Sequence, residues 1–197
     1  METVDRLMTQ ALVEKVFPGA VLMVSQKGLI QFQQAYGVAN IFDSRPVTLD
    51  TVFDLASLTK PLATSLAIMQ LVASHHLSLN QTVGSILASF STQGKNTLQV
   101  EHLLSHTSGY PDYRPYYLDL AKLPRAQRKS ALRNLLAAEP LQSTPGAKVC
   151  YSDLGFMVLQ WVAETVSNQR LDEFVAQSVY QPLGLDRLFF IDLDKPQ

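Results

Sequence analysis

Ser57 and Lys60 stand three residues apart in Ser57-Leu58-Thr59-Lys60, directly ahead of Pro61 and the apolar run Leu62 to Leu71. A serine alcohol is a weak nucleophile at neutral pH and needs a neighbouring group to take its proton. Residues at i and i+3 are neighbours on a helix surface, so this spacing brings the Lys60 amine within reach of the Ser57 hydroxyl. An amine of ordinary pKa, about 10.4, becomes a base only when desolvated or set beside another cation. The positive end of a helix dipole would favour a developing oxyanion at the same place. The same words also read as a serine N-cap with a solvated lysine in the first turn. Pro61 suits a first turn, where its missing N–H has no intrahelical partner. The run Leu62 to Ala73 is apolar nearly all round, which predicts a helix passing through a core. A lysine at the mouth of such a helix cannot simply extend into water.

A second constellation is Tyr151-Ser152-Asp153, which follows the turn Pro145-Gly146 and precedes an apolar stretch. A phenol beside an ammonium has its pKa of about 10 pulled down, because the positive charge favours the phenolate. Such a tyrosine could serve as base for a serine hydroxyl or as acid for a leaving group. Ser152 and Asp153 would add a hydroxyl and a carboxylate for a substrate to meet. A packed ring followed by a pair of N-cap residues is the other reading of this tripeptide.

The elements that must position these residues are legible from periodicity. Val4 to Val16 reads as an amphipathic helix. Ala20–Ser25 and Leu29–Tyr36 read as a β-hairpin around Gln26-Lys27-Gly28, and Gly37 to Asp54 as loop. After the Ser57 helix come a short helical piece over Thr82 to Leu87 and a helix opened by the capping residue Thr97. Tyr110 to Pro115 is a polar, aromatic loop. Helices follow over Arg125 to Ala138, Leu154 to Val166 (capped by Ser152 or Asp153) and Leu171 to Val179. A hairpin and one helix before Ser57, and helices after it, suggest a sheet layer with a helical layer inserted into it.

Bulk properties narrow the function classes. The 197 residues are 47% apolar and 17% charged. That is enough for one globular domain with a sizeable core. With 16 basic and 17 acidic side chains, there is no basic excess to attract nucleic acid. Cys150 is the one cysteine, so no internal disulfide framework exists, and burial as a small hydrophobe is its expected role. His75, His76, His102 and His106 lack metal-ligand spacing, and no metal or other cofactor is expected. No secretory leader and no bilayer-spanning run are visible. The expected location is cytoplasmic as the chain stands, or periplasmic or extracellular if a leader has been removed.

Four groups of residues then occur in order: Phe53-Asp54-Leu55-Ala56-Ser57-Leu58-Thr59-Lys60-Pro61, His102-Leu103-Leu104-Ser105-His106-Thr107-Ser108-Gly109, Pro145-Gly146 leading to Tyr151-Ser152-Asp153-Leu154-Gly155, and Pro182-Leu183-Gly184-Leu185. Together they resemble the serine β-lactamase and penicillin-binding-protein family. The similarity is greatest to its class C β-lactamase, D-alanyl-D-alanine carboxypeptidase and esterase branch, and spans about Ala20 to Leu188. The resemblance implies an α/β (α+β) fold, a mostly helical layer packed on an antiparallel sheet. It makes residues 1–197 the N-terminal part of one such domain, with the sheet incomplete. Residues 1–55 would hold the helix and hairpin, 56–170 the helical region, and 171–197 the return towards the sheet.

It also implies roles. Ser57 would be the acylated nucleophile, Lys60 would hold or relay its proton, and Tyr151 would be base and then acid. Asp153 and Ser152 would meet substrate. Asp153 stands where the family often has asparagine, and a carboxylate there can pair with Lys60 but cannot donate to a carbonyl. The His106 loop looks structural. The family's third motif, Lys-Thr-Gly or His-x-Gly on a C-terminal strand, supplies an oxyanion-hole N–H and is absent from this sequence. The implied function is an acyl-enzyme serine hydrolase of esters, amides or β-lactams, slow or inactive as this chain alone. The alternative is a non-catalytic penicillin-binding-like sensor or truncated pseudoenzyme. The expected partner is a small-molecule or peptide acyl substrate, with neither nucleic acid nor a membrane span. An exposed sheet edge would invite self-association.

Overall fold

The computed structural model describes residues 2–91 and 94–191. The chain divides into two compact units, one ending at Leu55 and one beginning at Ala56.

In the first unit, helix α1 (Glu2–Val13) precedes strands β1 (Gly19–Gln26) and β2 (Leu29–Asn40). The strands pair antiparallel from Gly19 opposite Gly37 to Gln26 opposite Leu29, with a bulge at Val24/Ser25. Lys27 and Gly28 both take positive φ, 51° and 77°. A two-residue turn matched to strand twist requires this at both positions. The Tyr36 hydroxyl bonds the Asp5 carboxylate at 3.0 Å and ties α1 to β2. β2 continues four residues past the expected end at Tyr36, and β3 (Arg45–Pro46) pairs with it inside the expected loop. The reason is local turn chemistry. The Asn40 side chain accepts the Phe42 N–H at 2.8 Å and that of Asp43 accepts the Arg45 N–H at 2.9 Å. Such side-chain turns fold the chain back into register.

The second unit holds the helical core. A 3₁₀ turn (Ala56–Leu58) leads into a π-helical turn (Lys60–Ser65) and then α2 (Leu66–Ala73). Only one face of this helix is buried, through Ala63, Thr64, Ala67, Ile68 and Leu71. Met69 is 62% exposed, so the expected all-round burial does not hold within this unit. The buried Tyr180 donates its hydroxyl to the Leu62 carbonyl at 2.7 Å. It thereby ties this turn to the C-terminal end of the second π turn.

α3 (Val83–Ile86) and α4 (Val100–Leu104) follow. Gln99 caps α4 and forms a reciprocal capping box with His102, so the cap lies two residues beyond the expected Thr97. α5 (Tyr116–Leu120), α6 (Arg125–Ala138) and α7 (Asp153–Ser167) come next. α8 (Leu171–Val175) passes into a second π turn (Ala176–Tyr180). The return expected over 171–197 is described as far as residue 191; residues 192–197 lie outside the described part. No helix of the described residues is long and apolar enough to cross a membrane.

α7 is the axis of this unit. Leu154, Val158, Leu159 and Val162 are fully buried, and α7 packs on α2, α4, α6 and α8. Burying each such side chain contributes about 1.5–3 kcal/mol. Ser152 caps its start, accepting the Gly155 N–H at 3.2 Å, and Asn168 ends it with a left-handed φ of 54°. Both residue types suit these ends, a hydroxyl acceptor at the first and a tolerant left-handed residue at the last. Two buried polar groups close the end of α6. Tyr110 donates to the Leu136 carbonyl at 2.6 Å, and the buried Lys95 donates to the Ala137 carbonyl between the rings of Phe90 and Tyr110.

Gly109 is forced by close approach. Its φ is 84°, and a Cβ there would stand 2.1 Å from the Ser143 carbonyl oxygen. Gly109→Ala is expected to destabilise the protein by roughly 2–4 kcal/mol through clash plus backbone strain. A urea unfolding midpoint lower than wild type at unchanged slope checks this; an unchanged midpoint would refute it.

Candidate active site

Two short segments of the second unit converge here, the turn 57–60 and the lead into α7, 151–153. Ala56 has a positive φ of 44° and turns the chain sharply into Ser57. Such a conformation is rare for a residue with a Cβ. Lys60, one turn on, donates from Nζ to Ser57 Oγ at 3.2 Å. The same Nζ pairs with Asp153 Oδ1 at 2.6 Å, with side-chain exposures of 14% for Lys60 and 37% for Asp153. It also lies 4.9 Å from the centre of the Tyr151 ring. Lys60 and Ser57 both act on the Tyr151 phenol. Ser57, Tyr151 and Asp153 thus cluster around the Lys60 ammonium.

The position of 151–153 is set from behind. The loop 106–109 runs against 142–150: Gln142 N–H donates to Gly109 O at 2.7 Å, Gly146 N–H to Thr107 O at 2.8 Å, and Cys150 N–H to His106 O at 2.8 Å. Asp153 N–H donates to Asp112 O at 2.8 Å. Ser152 is fully buried and turned away from the cluster. Its hydroxyl donates to the Pro111 carbonyl at 2.6 Å and accepts from Gly155, so the residue expected to meet substrate is instead a helix cap and loop anchor.

The electrostatics follow from these contacts. Burial works against the Lys60 ammonium, but the hydrogen bonds of Asp153 and Tyr151 outweigh it and raise its pKa above the ordinary amine value. Lys60 is therefore a held cation. Tyr151 moves the opposite way. The Lys60 hydrogen bond, then that of Ser57, lower its phenol pKa, against burial and the Asp153 charge. The pairing of a fixed cation with a more acidic phenol places the easier proton on Tyr151.

Nearby, the Tyr113 phenol is pushed above its ordinary pKa by burial, by Tyr117 and by the Asp153 charge. Only its place in an aromatic loop was visible in the sequence. A cavity of about 830 Å³ is bordered by Thr59, Thr64, Tyr117, Glu164 and Phe190, among others. Neither Ser57 nor Tyr151 borders it, so it is separate from the cluster.

A helical unit with a three-stranded antiparallel sheet, and a Ser-x-x-Lys helix mouth facing a Tyr-x-Asp segment, define a β-lactamase/transpeptidase-like fold. Comparison with known proteins agrees. The β-lactamase family model matches residues 4–197, and the chain belongs to that family. A protein of Escherichia coli O157:H7, provisionally named a D-alanyl-D-alanine carboxypeptidase, is 32% identical over 210 residues, covering 99% of this chain and 48% of the relative. The solved structure of EstCE1, described as a hydrolase with promiscuous acyltransferase activity, is 28% identical with a TM-score of 0.79, covering 93% of this chain and 51% of that one. A class C β-lactamase shares the fold at a TM-score of 0.82 and 23% identity, covering 98% of this chain and 52% of that one. The chain spans about half the length of the relatives it matches.

The Tyr151 phenol is expected to titrate below its ordinary pKa of about 10. Lys60→Met should return that midpoint upward, since the Lys60 hydrogen bond is the leading cause of the shift. Ultraviolet difference titration against Tyr151→Phe reads it directly. An unmoved midpoint in Lys60→Met would show that Lys60 does not set the phenol's acidity.

Proposed function

We propose that this protein is a serine hydrolase working through an acyl-enzyme on ester, amide or β-lactam substrates. The observation that carries the reading is the Lys60 ammonium bonded at once to Ser57 Oγ and the Asp153 carboxylate, beside the Tyr151 ring. With its phenol pKa lowered, Tyr151 takes the Ser57 proton as Ser57 Oγ attacks the substrate carbonyl carbon. Lys60 stays protonated, held by Asp153, and stabilises the phenolate that waits beside it. Collapse of the tetrahedral adduct breaks the bond to the leaving group, which receives the proton back from Tyr151. Water then repeats the sequence on the acyl-enzyme, with Tyr151 again as base, and Ser57 is released.

The Ser57 N–H would serve as one oxyanion donor. In the family, the second comes from a C-terminal strand, and removal of one such donor costs about 100- to 1000-fold in rate. The residues matched here alone would therefore turn over slowly. Asp153 bears on substrate choice. Its carboxylate accepts hydrogen bonds and cannot donate one, so it gives nothing to a substrate carbonyl and suits an N–H or a cation. The carboxypeptidase name of the relatives and the neighbour described as a hydrolase with promiscuous acyltransferase activity are both compatible with this range.

The outer edge of β1 has no strand partner among the described residues. We propose self-association through it, because an open edge offers unpaired N–H and C=O groups to a second copy. Sedimentation velocity should then give a mass above one chain that rises with concentration; a monomer at every concentration would refute this.

A fluorescent penicillin or fluorophosphonate probe should label the protein covalently, and Ser57→Ala should abolish the label. Tyr151→Phe should slow labelling by at least about 100-fold, the usual worth of a general base. Wild-type protein left unlabelled by both probes, or labelling that survives Ser57→Ala, would overturn the acyl-enzyme reading. Labelling without hydrolysis of a p-nitrophenyl ester would favour a sensor.

A further inference from the structure

His106 stands outside the four-residue cluster yet holds it from two sides. Its carbonyl accepts the Cys150 N–H at 2.8 Å, and its Nδ1 accepts the Ser152 N–H at 3.0 Å. The residues on either side of Tyr151 are thus both hung on His106. Between them the imidazole lies against the Tyr151 ring, with centroids 4.5 Å apart and planes 34° apart. Phe156 closes the other flank, its centroid 5.0 Å from that of the imidazole. His106 itself has a φ of 58°, a left-handed turn.

The hydrogen bonding assigns the ring's protonation. A ring nitrogen that accepts an N–H carries no proton, so the proton is on Nε2 and the ring is neutral. A second proton must enter at Nδ1, directly opposite the Ser152 N–H. Two donors would then face one another at 3.0 Å, and the bond between them is lost. The imidazole must turn, and the Tyr151 ring loses the surface it rests on.

The charged groups facing His106 are Lys60 on the nucleophile helix and Asp153 at the start of α7, with Tyr151 the third titratable neighbour. Burial first, and then the Lys60 ammonium, pull the His106 pKa below 6.5, against the weaker effect of Asp153. The ring is therefore neutral at physiological pH.

We propose that His106 is the positioning residue of Tyr151, holding the phenol in its working place as a neutral imidazole and releasing it on protonation. Only the activity part of its test rests on the acyl-enzyme reading.

Imidazole nitrogen NMR on the wild-type protein is the first measurement. It should give the Nε2–H tautomer above neutrality and a protonation midpoint below 6.5, with the Tyr151 ring resonances moving at that same midpoint. An Nδ1–H tautomer, or Tyr151 signals indifferent to the midpoint, would overturn the proposal. The second measurement uses His106→Asn. Asparagine tolerates the left-handed backbone and its Oδ1 can accept the Ser152 N–H, but it does not titrate. Its kcat/KM should lose the component of the acidic fall expected of wild type at the imidazole midpoint and keep the one set by Tyr151 itself, with a plateau about tenfold lower for the missing ring contact. His106→Ala, which has no acceptor, should be slower at every pH. An acidic fall unchanged in His106→Asn would also overturn the proposal. Where the variant does not fold, the wild-type NMR decides alone. Coupled NMR midpoints in a protein that hydrolyses nothing would retain the positioning role and reject the hydrolase.

Discussion

The Lys60 ammonium, shared among the Asp153 carboxylate, Ser57 Oγ and the Tyr151 phenol, is the contact on which the site turns. A cation this little exposed must be paired, because an unpaired buried charge is strongly destabilising. Pairing it with Asp153 keeps the proton on the amine. On the proposed mechanism that choice leaves the task of accepting a proton to the neighbouring phenol, whose ionised form the ammonium favours. Much of the second unit can be understood as holding this arrangement. The Ala56 turn aims Ser57, Tyr180 pins the carbonyl of Leu62 on the nucleophile helix, and the core face of α7 sets the height of residues 151–153.

Behind the cluster lies a relay of backbone contacts in place of a second layer of charged side chains. Pro111 and Asp112 carbonyls hold Ser152 and Asp153, and the Tyr110 beside them is moored to the end of α6. Lys95 secures the next carbonyl of α6, held between two aromatic rings. Tyr110 and Lys95 themselves touch none of the cluster residues in these contacts, yet a shift in either would displace the lead into α7. The interior is stiff enough to transmit such shifts, because close-packed cores leave little room to absorb them.

What could be read in the sequence follows from how local each signal is. Ser57 and Lys60 are three residues apart, and helical geometry alone brings them together. The β-lactamase-like order of motifs located Tyr151 and Asp153, and the hairpin and the long helices followed from periodicity. Ser152 was assigned to substrate because its hydroxyl's real partner, the Pro111 carbonyl, lies 41 residues away in the chain. The π turns at Lys60–Ser65 and Ala176–Tyr180 leave no mark in a hydrophobic pattern. Lys95 sits in a polar stretch that suggests solvent, and only the meeting of Phe90, Tyr110 and α6 buries it. His106 was legible as a loop residue, but stacking on Tyr151 depends on the approach of 142–150, which no short motif encodes.

The two halves of the cluster are far apart along the polypeptide, separated by most of the helical unit. Closing so long a loop carries an entropic penalty that is offset only when the intervening core condenses with it. Ser57 therefore has no phenol beside it in a nascent or partly opened chain, and its alcohol there is as inert as any other. On the proposed acyl-enzyme reading, reactivity would arrive together with the native state, so an unfinished polypeptide would not be acylated at Ser57.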